Sequence, residues 1–150
     1  MVSALDVAAY ILKKHSPMTA MKLQKLVYYS QAWSLVWDEE ALYREQIQAW
    51  ANGPVVRELY DLHRGKYKVY SVRKGNCEAL TETQKETVDA VLAAYGDKSP
   101  QWLSDLTHIE PPWRAARKGL AETERGCRVI TEPSLANYYG GLFSGGVEQE

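Results

Sequence analysis

Cysteine is nearly absent: Cys77 and Cys127 are the only two in 150 residues. Their separation matches no zinc-site spacing, so two free thiols are the plain reading and one disulfide in an exported protein the lesser one. Charge of one sign is also missing, with 18 Lys and Arg against 19 Asp and Glu. That balance argues against a dedicated nucleic-acid-binding protein, which shows a basic excess or stripe. No apolar run approaches the roughly 20 residues of a membrane span. The N-terminus lacks the basic and apolar regions of a signal peptide, so a cytoplasmic protein is expected. Gly-rich phosphate loops, HExxH, CxxC and GxSxG are lacking too, and no cofactor or metal site is expected. Phe occurs once, against five Trp and ten Tyr. Rings with a polar handle suit a half-buried interface, and equally a small core.

What is present is a chain of single-domain length with a near-average apolar fraction. Its centre of gravity is Met18 to Trp37. At 100° per residue Leu23, Leu26, Val27, Ser30, Ser34 and Trp37 form one stripe, widened by Tyr29, Trp33 and Val36. Thr19 is placed to cap a helix over 20–37, with Met18 and Leu23 as a hydrophobic staple. A helix this apolar requires neighbours on several sides, and the serines in its stripe suggest close approach by a neighbouring helix. Gln24, Tyr28 and Gln31 line a second side, with Lys25 beside them. They are either a solvent face or buried amides bonded to a loop such as that around Trp50–Pro54. Burial is preferred because the helix carries few charges.

Elsewhere, Ser3 and Asp6 form a capping box for a helix ending near His15, a surface residue in a last turn whose cations suit the dipole. Tyr43–Trp50 reads as irregular chain or, second, a short strand. Asn52, Gly53 and Pro54 punctuate, Pro54 opening a helix that carries Val55, Val56, Leu59, Tyr60 and His63 until Gly65. Alternation over Tyr67–Leu80, with a turn at Lys74–Asn76, predicts a small hairpin. Basic residues beside Tyr67 and Tyr70 there read as a solvated edge in preference to a nucleic-acid contact. Thr81 and Gln84 box a further helix ending at Gly96. Ser99 and Pro100 start another with Trp102, Leu103 and Leu106 inward. A short helix follows Pro111 and Pro112, Cys127–Ile130 reads as a short strand, and a last helix starts at Thr131–Pro133 and closes at Gly140–Gly141. The predicted fold is mainly α, a single globular helical domain over residues 1–143 around a buried central helix, with a small antiparallel β hairpin and a frayed tail over 144–150.

The tightest group of acid–base or ligand side chains is His108 and Glu110, with Thr107. Two such residues do not make a zinc site. Placed between two helices, they are read as bonding backbone groups left unpaired there, with catalysis the low-ranked alternative.

Four motifs in order, MKLQKLVYYSQAW at Met21–Trp33, AWANGPVV at Ala49–Val56 followed by Leu59–Tyr60, Tyr95–Gly96, and LTHIEPPW at Leu106–Trp113, resemble the Panacea domain family, SocA-like and phage-associated. The likeness spans about Ala4–Tyr139. The family positions it picks out are Leu23, Gln24, Lys25, Leu26, Tyr28, Tyr29, Gln31 and Trp33, then Trp50, Gly53, Pro54, Val55 and Tyr60, then Thr107, His108, Glu110 and Trp113. These are expected to be scaffold. The sequence departs from the usual pattern at Asp38–Ala41, where a Gly or Pro turn is expected. The resemblance implies a prokaryotic antitoxin of a type II-like toxin–antitoxin system, neutralising a cognate toxin protein by direct binding and without catalysis. One branch of the family instead implies an adaptor that delivers a toxin to an ATP-dependent protease. An enzyme using His108 and Glu110 ranks last. Tyr67, Tyr70, Arg73 and Trp102 are the expected partner-binding residues, since Tyr and Trp anchors concentrate binding energy.

Overall fold

Every layer of the fold is built against the helix over 20–37. The computed structural model describes residues 1–148, with side chains as far as Ser144. In α1 (Ala4–His15) the Asp6 N–H donates to the Ser3 hydroxyl and the Ser3 N–H to the Asp6 carboxylate, the predicted capping box. The two-residue β1 (Met18–Thr19) leads into α2 (Ala20–Trp37), where Thr19 accepts from the Lys22 N–H. β2 (Ile47–Trp50) and β3 (Gly53–Val56) precede α3 (Arg57–His63) and β4 (Lys68–Val69). α4 (Glu82–Tyr95) opens on the Thr81–Gln84 box, and α5 (Pro100–Ile109) on Ser99 with Pro100 in its first turn. α6 (Pro111–Ala116), β5 (Val129–Ile130) and α7 (Glu132–Glu148) complete the described residues.

α2 packs against α1, α3, α4, α5, α7 and β3. Leu23, Leu26, Val27, Tyr29 and Ala32 are fully buried, and among its large side chains Met21 and Trp37 are the exposed ones. Burying an aliphatic side chain of this size contributes about 1.5–3 kcal/mol, so α2 is held by packing around its circumference. The fold is thus mainly α around a buried central helix, as the sequence predicts. Two small antiparallel sheets, β3-β2-β5 and β1-β4, flank it.

Four local expectations are corrected. The hairpin is formed by β2 and β3, with Trp50 opposite Gly53, and not by Tyr67–Leu80. In the latter stretch Lys68–Val69 pairs with Met18–Thr19, a partner distant in sequence. The predicted turn serves another purpose: Lys74 has φ +70, and a Cβ on Gly75 would lie 2.4 Å from the Leu5 carbonyl oxygen. Gly75 therefore lets this loop rest on the backbone of α1, where Asp6 accepts from the Asn76 N–H at 2.8 Å.

Tyr43–Trp50 contains a strand, its inward residues Ile47 and Ala49 alternating with Gln48 and Trp50. Pro54 lies in β3 and α3 starts three residues later, at Arg57. Proline is tolerated because it faces Ala49 on an edge strand. The backbone N–H of Ala49 is committed to the Arg128 carbonyl and its carbonyl to Arg117, so the pair asks for no proline N–H. Lastly, α7 passes through Gly140 and Gly141 to Glu148, because Leu135 and Tyr139 are packed against the core. Residues 144–148 of the expected tail continue this helix, and 149–150 lie outside the described residues.

At Asp38–Ala41, where a Gly or Pro turn is expected, Glu39 itself takes φ +56. Ser34 meets this returning loop, donating to the Glu40 carbonyl at 2.9 Å, while Ser30 donates to Leu26 one turn back.

Candidate functional site

The polar side of α2 is buried, and each of its glutamines grips a stretch of backbone. Gln24 donates to the Val56 carbonyl at 3.1 Å and accepts from the Val56 N–H at 2.9 Å. Val56 sits on the outer edge of β3 and precedes α3 with no side-chain cap of its own. The amide of Gln24 therefore acts as one more strand partner. Gln31 repeats the device on the next segment, donating to the Tyr43 carbonyl at 2.9 Å and accepting from the Leu42 N–H at 2.6 Å. Burial of this face is as the sequence reading prefers; the partners are Leu42, Tyr43 and Val56 in place of the Trp50–Pro54 loop.

Tyr28 and Tyr29 lead to a second polar centre. Glu110 Oε1 accepts from Tyr29 at 2.6 Å and from Tyr139 at 2.7 Å. Tyr139 has one hydroxyl proton and spends it on Glu110, so Tyr28, 3.0 Å away, donates to Tyr139. Tyr95 stacks on Tyr29 with ring centroids 4.2 Å apart and accepts from the Trp33 indole N–H at 3.1 Å. Burial raises the Glu110 carboxyl above the usual carboxylate range, and the two hydroxyl donors oppose that shift. Glu110 is positioned by the two prolines after it, which hold it extended (φ −87, ψ 137) between α5 and α6.

His108 points elsewhere and makes no hydrogen bond to Glu110. Its Nδ1 lies 2.6 Å from the Ser104 carbonyl oxygen and its Nε2 3.2 Å from that of Ala51, tying α5 to the β2–β3 turn. The ring packs on Trp113 at 4.2 Å, whose indole N–H donates to the Trp50 carbonyl at 2.8 Å. Thr107 bonds back to Ser104. Among the described residues no group of three or more His, Cys, Asp and Glu is arranged to hold a metal ion.

Lys25 is 2% exposed and, among the described residues, has no hydrogen bond or ion pair. Desolvation lowers its ammonium to a pKa of about 8. Its end lies against Gly53, whose φ is +126; a Cβ there would sit 2.8 Å from Lys25 Cε and Nζ. Gly53→Ala combines an unfavourable backbone angle with that clash, and is expected to cost about 1–3 kcal/mol in urea denaturation. Wild-type stability in the variant would mean that neither restraint acts.

Of the expected partner-binding residues, Tyr67 is 77% exposed and Tyr70 66%. Trp102, expected inward on α5, is exposed and lies under the Lys98 ammonium, 5.0 Å from the ring centroid. Arg73 is exposed on the loop after β4. Tyr60 is exposed and meets Trp50 edge-on at 4.8 Å, while Val55 is buried beside them.

Sequence reasoning passed over Arg117, which is 4% exposed and binds four carbonyls, those of Ala49, Ala121, Glu122 and Glu124. It packs over Trp113 and fastens the 121–126 loop to β2. Its spacing of four from Trp113 on a helical stretch was the available signal. Tyr139 was likewise unassigned, and nothing local marks it.

A scan against protein-family models matches residues 23–114 to the description "Antitoxin SocA-like, Panacea domain". A search of curated proteins and one of solved structures each give no match. The matched stretch is more than half of the chain and takes in both glutamine grips, the β2–β3 hairpin, His108 and Glu110. The chain belongs to the family of antitoxin SocA-like Panacea domains.

Proposed function

We propose that this protein neutralises a partner toxin by direct, non-catalytic binding, as the antitoxin of a type II-like pair. The family match over residues 23–114 carries this reading. The disposition of the motif residues agrees with it. Gln24, Gln31, Tyr29, His108 and Glu110 are spent on internal hydrogen bonds, and we read them as scaffold. His108 and Glu110 face different partners, which disfavours an acid–base pair. Recognition then falls to the surface. Exposed Met21, Tyr60 and Tyr67 are there beside Lys66, and a stable complex would bury about 1,200–2,000 Å² in total.

Co-expression with the product of the neighbouring gene tests this. Growth should be restored, and the two proteins should co-purify as a stoichiometric complex. Rescue that vanishes in a host lacking an ATP-dependent protease would instead favour the adaptor role. A neighbour that is not toxic would remove the antitoxin reading.

A further inference from the structure

We propose that the pocket beside the start of α2 receives a carboxylate side chain of the protein partner, with the Lys25 ammonium as its counter-ion. The proposal rests on the antitoxin reading and adds the chemistry of one anchor contact. No fully enclosed side-chain polar atom among the described residues lacks a hydrogen-bond partner. Lys25 has none, so its ammonium keeps an opening. Lys25 lines a pocket of about 200 Å³ walled by Met21, Trp50, Val55 and Tyr60.

The electrostatics select the sign of the occupant. Lys66 is a second cation in the lining, and among the described residues neither Asp nor Glu contributes to it. The Gln24 amide is already committed to Val56, which leaves it no strong claim on Lys25. A buried ammonium without a counter-ion is costly, and an incoming carboxylate recovers that cost as binding. No arginine lines the pocket, and arginine is the side chain whose fork matches phosphate. Two lysines in a lining that also carries Met21, Trp50, Val55 and Tyr60 suit a carboxylate on a short apolar stem. By contrast, the larger groove of about 670 Å³ at the N-terminus is lined by Arg44 and Arg57 together with Glu45 and Glu58, so it selects neither sign.

The surroundings point to a protein-borne carboxylate. Met21 and Lys66 also line a neighbouring groove with Tyr67 and Pro100, and Lys66 and His63 line another with Arg73. The pocket thus shares lining residues with a wider surface on which Tyr60 and Tyr67 are exposed. A desolvated charge ringed by aromatic side chains is the arrangement found at binding hot spots.

The first test is a titration of the full chain, with its methionine methyls labelled, using sodium hexanoate, hexanamide and inorganic phosphate. Hexanoate should shift the Met21 methyl in a saturable way, and hexanamide and phosphate should not. Lys25→Met and the surface variant Lys66→Glu should each weaken hexanoate by at least roughly tenfold. Equal response to hexanamide, preference for phosphate, or unchanged affinity in both variants would overturn the proposal. The second test is growth rescue against a toxin that the wild type neutralises. Both variants should lose at least roughly tenfold in plating efficiency while their melting temperatures show that they fold. Full rescue by both folded variants would overturn the carboxylate anchor and leave the antitoxin reading standing. If the wild type rescues nothing, that reading fails, and the hexanoate titration still decides whether the pocket takes a carboxylate.

Discussion

Gln24→Ala is expected to lower the stability of the protein by about 2–4 kcal/mol. The loss comes from both sides of one amide. The N–H and the carbonyl of Val56 are buried on the outer edge of β3, and Gln24 is the group bonded to each. Removing the side chain strands a buried donor and a buried acceptor, each costing about 1–3 kcal/mol when left unpaired. Urea denaturation of Gln24→Ala beside Gln24→Met separates this from the cavity, since methionine restores the volume without the hydrogen bonds. Gln24→Met should keep most of the loss, and a value within about 0.5 kcal/mol of wild type would show that the amide is not what holds Val56. Gln31→Ala acts on Leu42 and Tyr43, a different segment about 10 Å along the helix, so the two losses should add.

The second large effect has the opposite sign: Lys25→Met should stabilise the protein by up to about 3 kcal/mol at neutral pH. Folding lowers the Lys25 ammonium from 10.5 to about 8, and each unit is about 1.4 kcal/mol of disfavoured charge. Below about pH 8 both the folded and the unfolded chain hold the proton, and the cost is carried in full. Between about 8 and 10.5 the folded chain releases a proton that the unfolded chain retains, so wild-type stability rises with pH. The advantage of Lys25→Met should therefore shrink over that interval. Burial works the other way on Tyr28, Tyr29, Tyr43 and Tyr139, whose hydroxyls are held above their ordinary 10 and whose contribution falls as pH rises past it. Those tyrosines are common to both proteins and cancel in the difference. Equilibrium unfolding of the pair at pH 7, 8, 9 and 9.5 gives the answer. A Lys25→Met variant less stable than wild type at pH 7, or a difference flat with pH, would mean that Lys25 is already paired in the folded chain. A stabilised variant that no longer protects a host would be the signature of a residue kept for binding at a cost in stability.

Much of the helical framework was legible because its signals are local. Ser3 with Asp6, Thr19, Thr81 with Gln84, and Ser99 with Pro100 each mark a helix start within four residues, and the structure uses all of them. The hairpin was misplaced for a physical reason. Tyr67–Leu80 alternates over a few residues but its buried members Val69, Val72 and Leu80 are three and eight apart, and its one short strand pairs with Met18–Thr19 across the fold. The real hairpin at Ile47–Val56 is only four residues a side, and Pro54 within it imitates a helix start. Gly140 and Gly141 likewise look like a stop, yet packing of Leu135 and Tyr139 carries α7 across them.

The sequence by itself determined the central helix, the capped starts of its neighbours and the preference for burial of Gln24 and Gln31, because each is written in side-chain spacing along one segment, and four motifs in order carried the resemblance to the family. Only the tertiary structure decided where those side chains end. Which carbonyls each glutamine grips, that Tyr29 and Tyr139 converge on Glu110 with Tyr28 bonded to Tyr139, and that Lys25 has no counter-ion among the described residues all depend on contacts between segments far apart in the chain. A buried charge and a satisfied one have the same spelling; the difference is made by the neighbours that folding supplies.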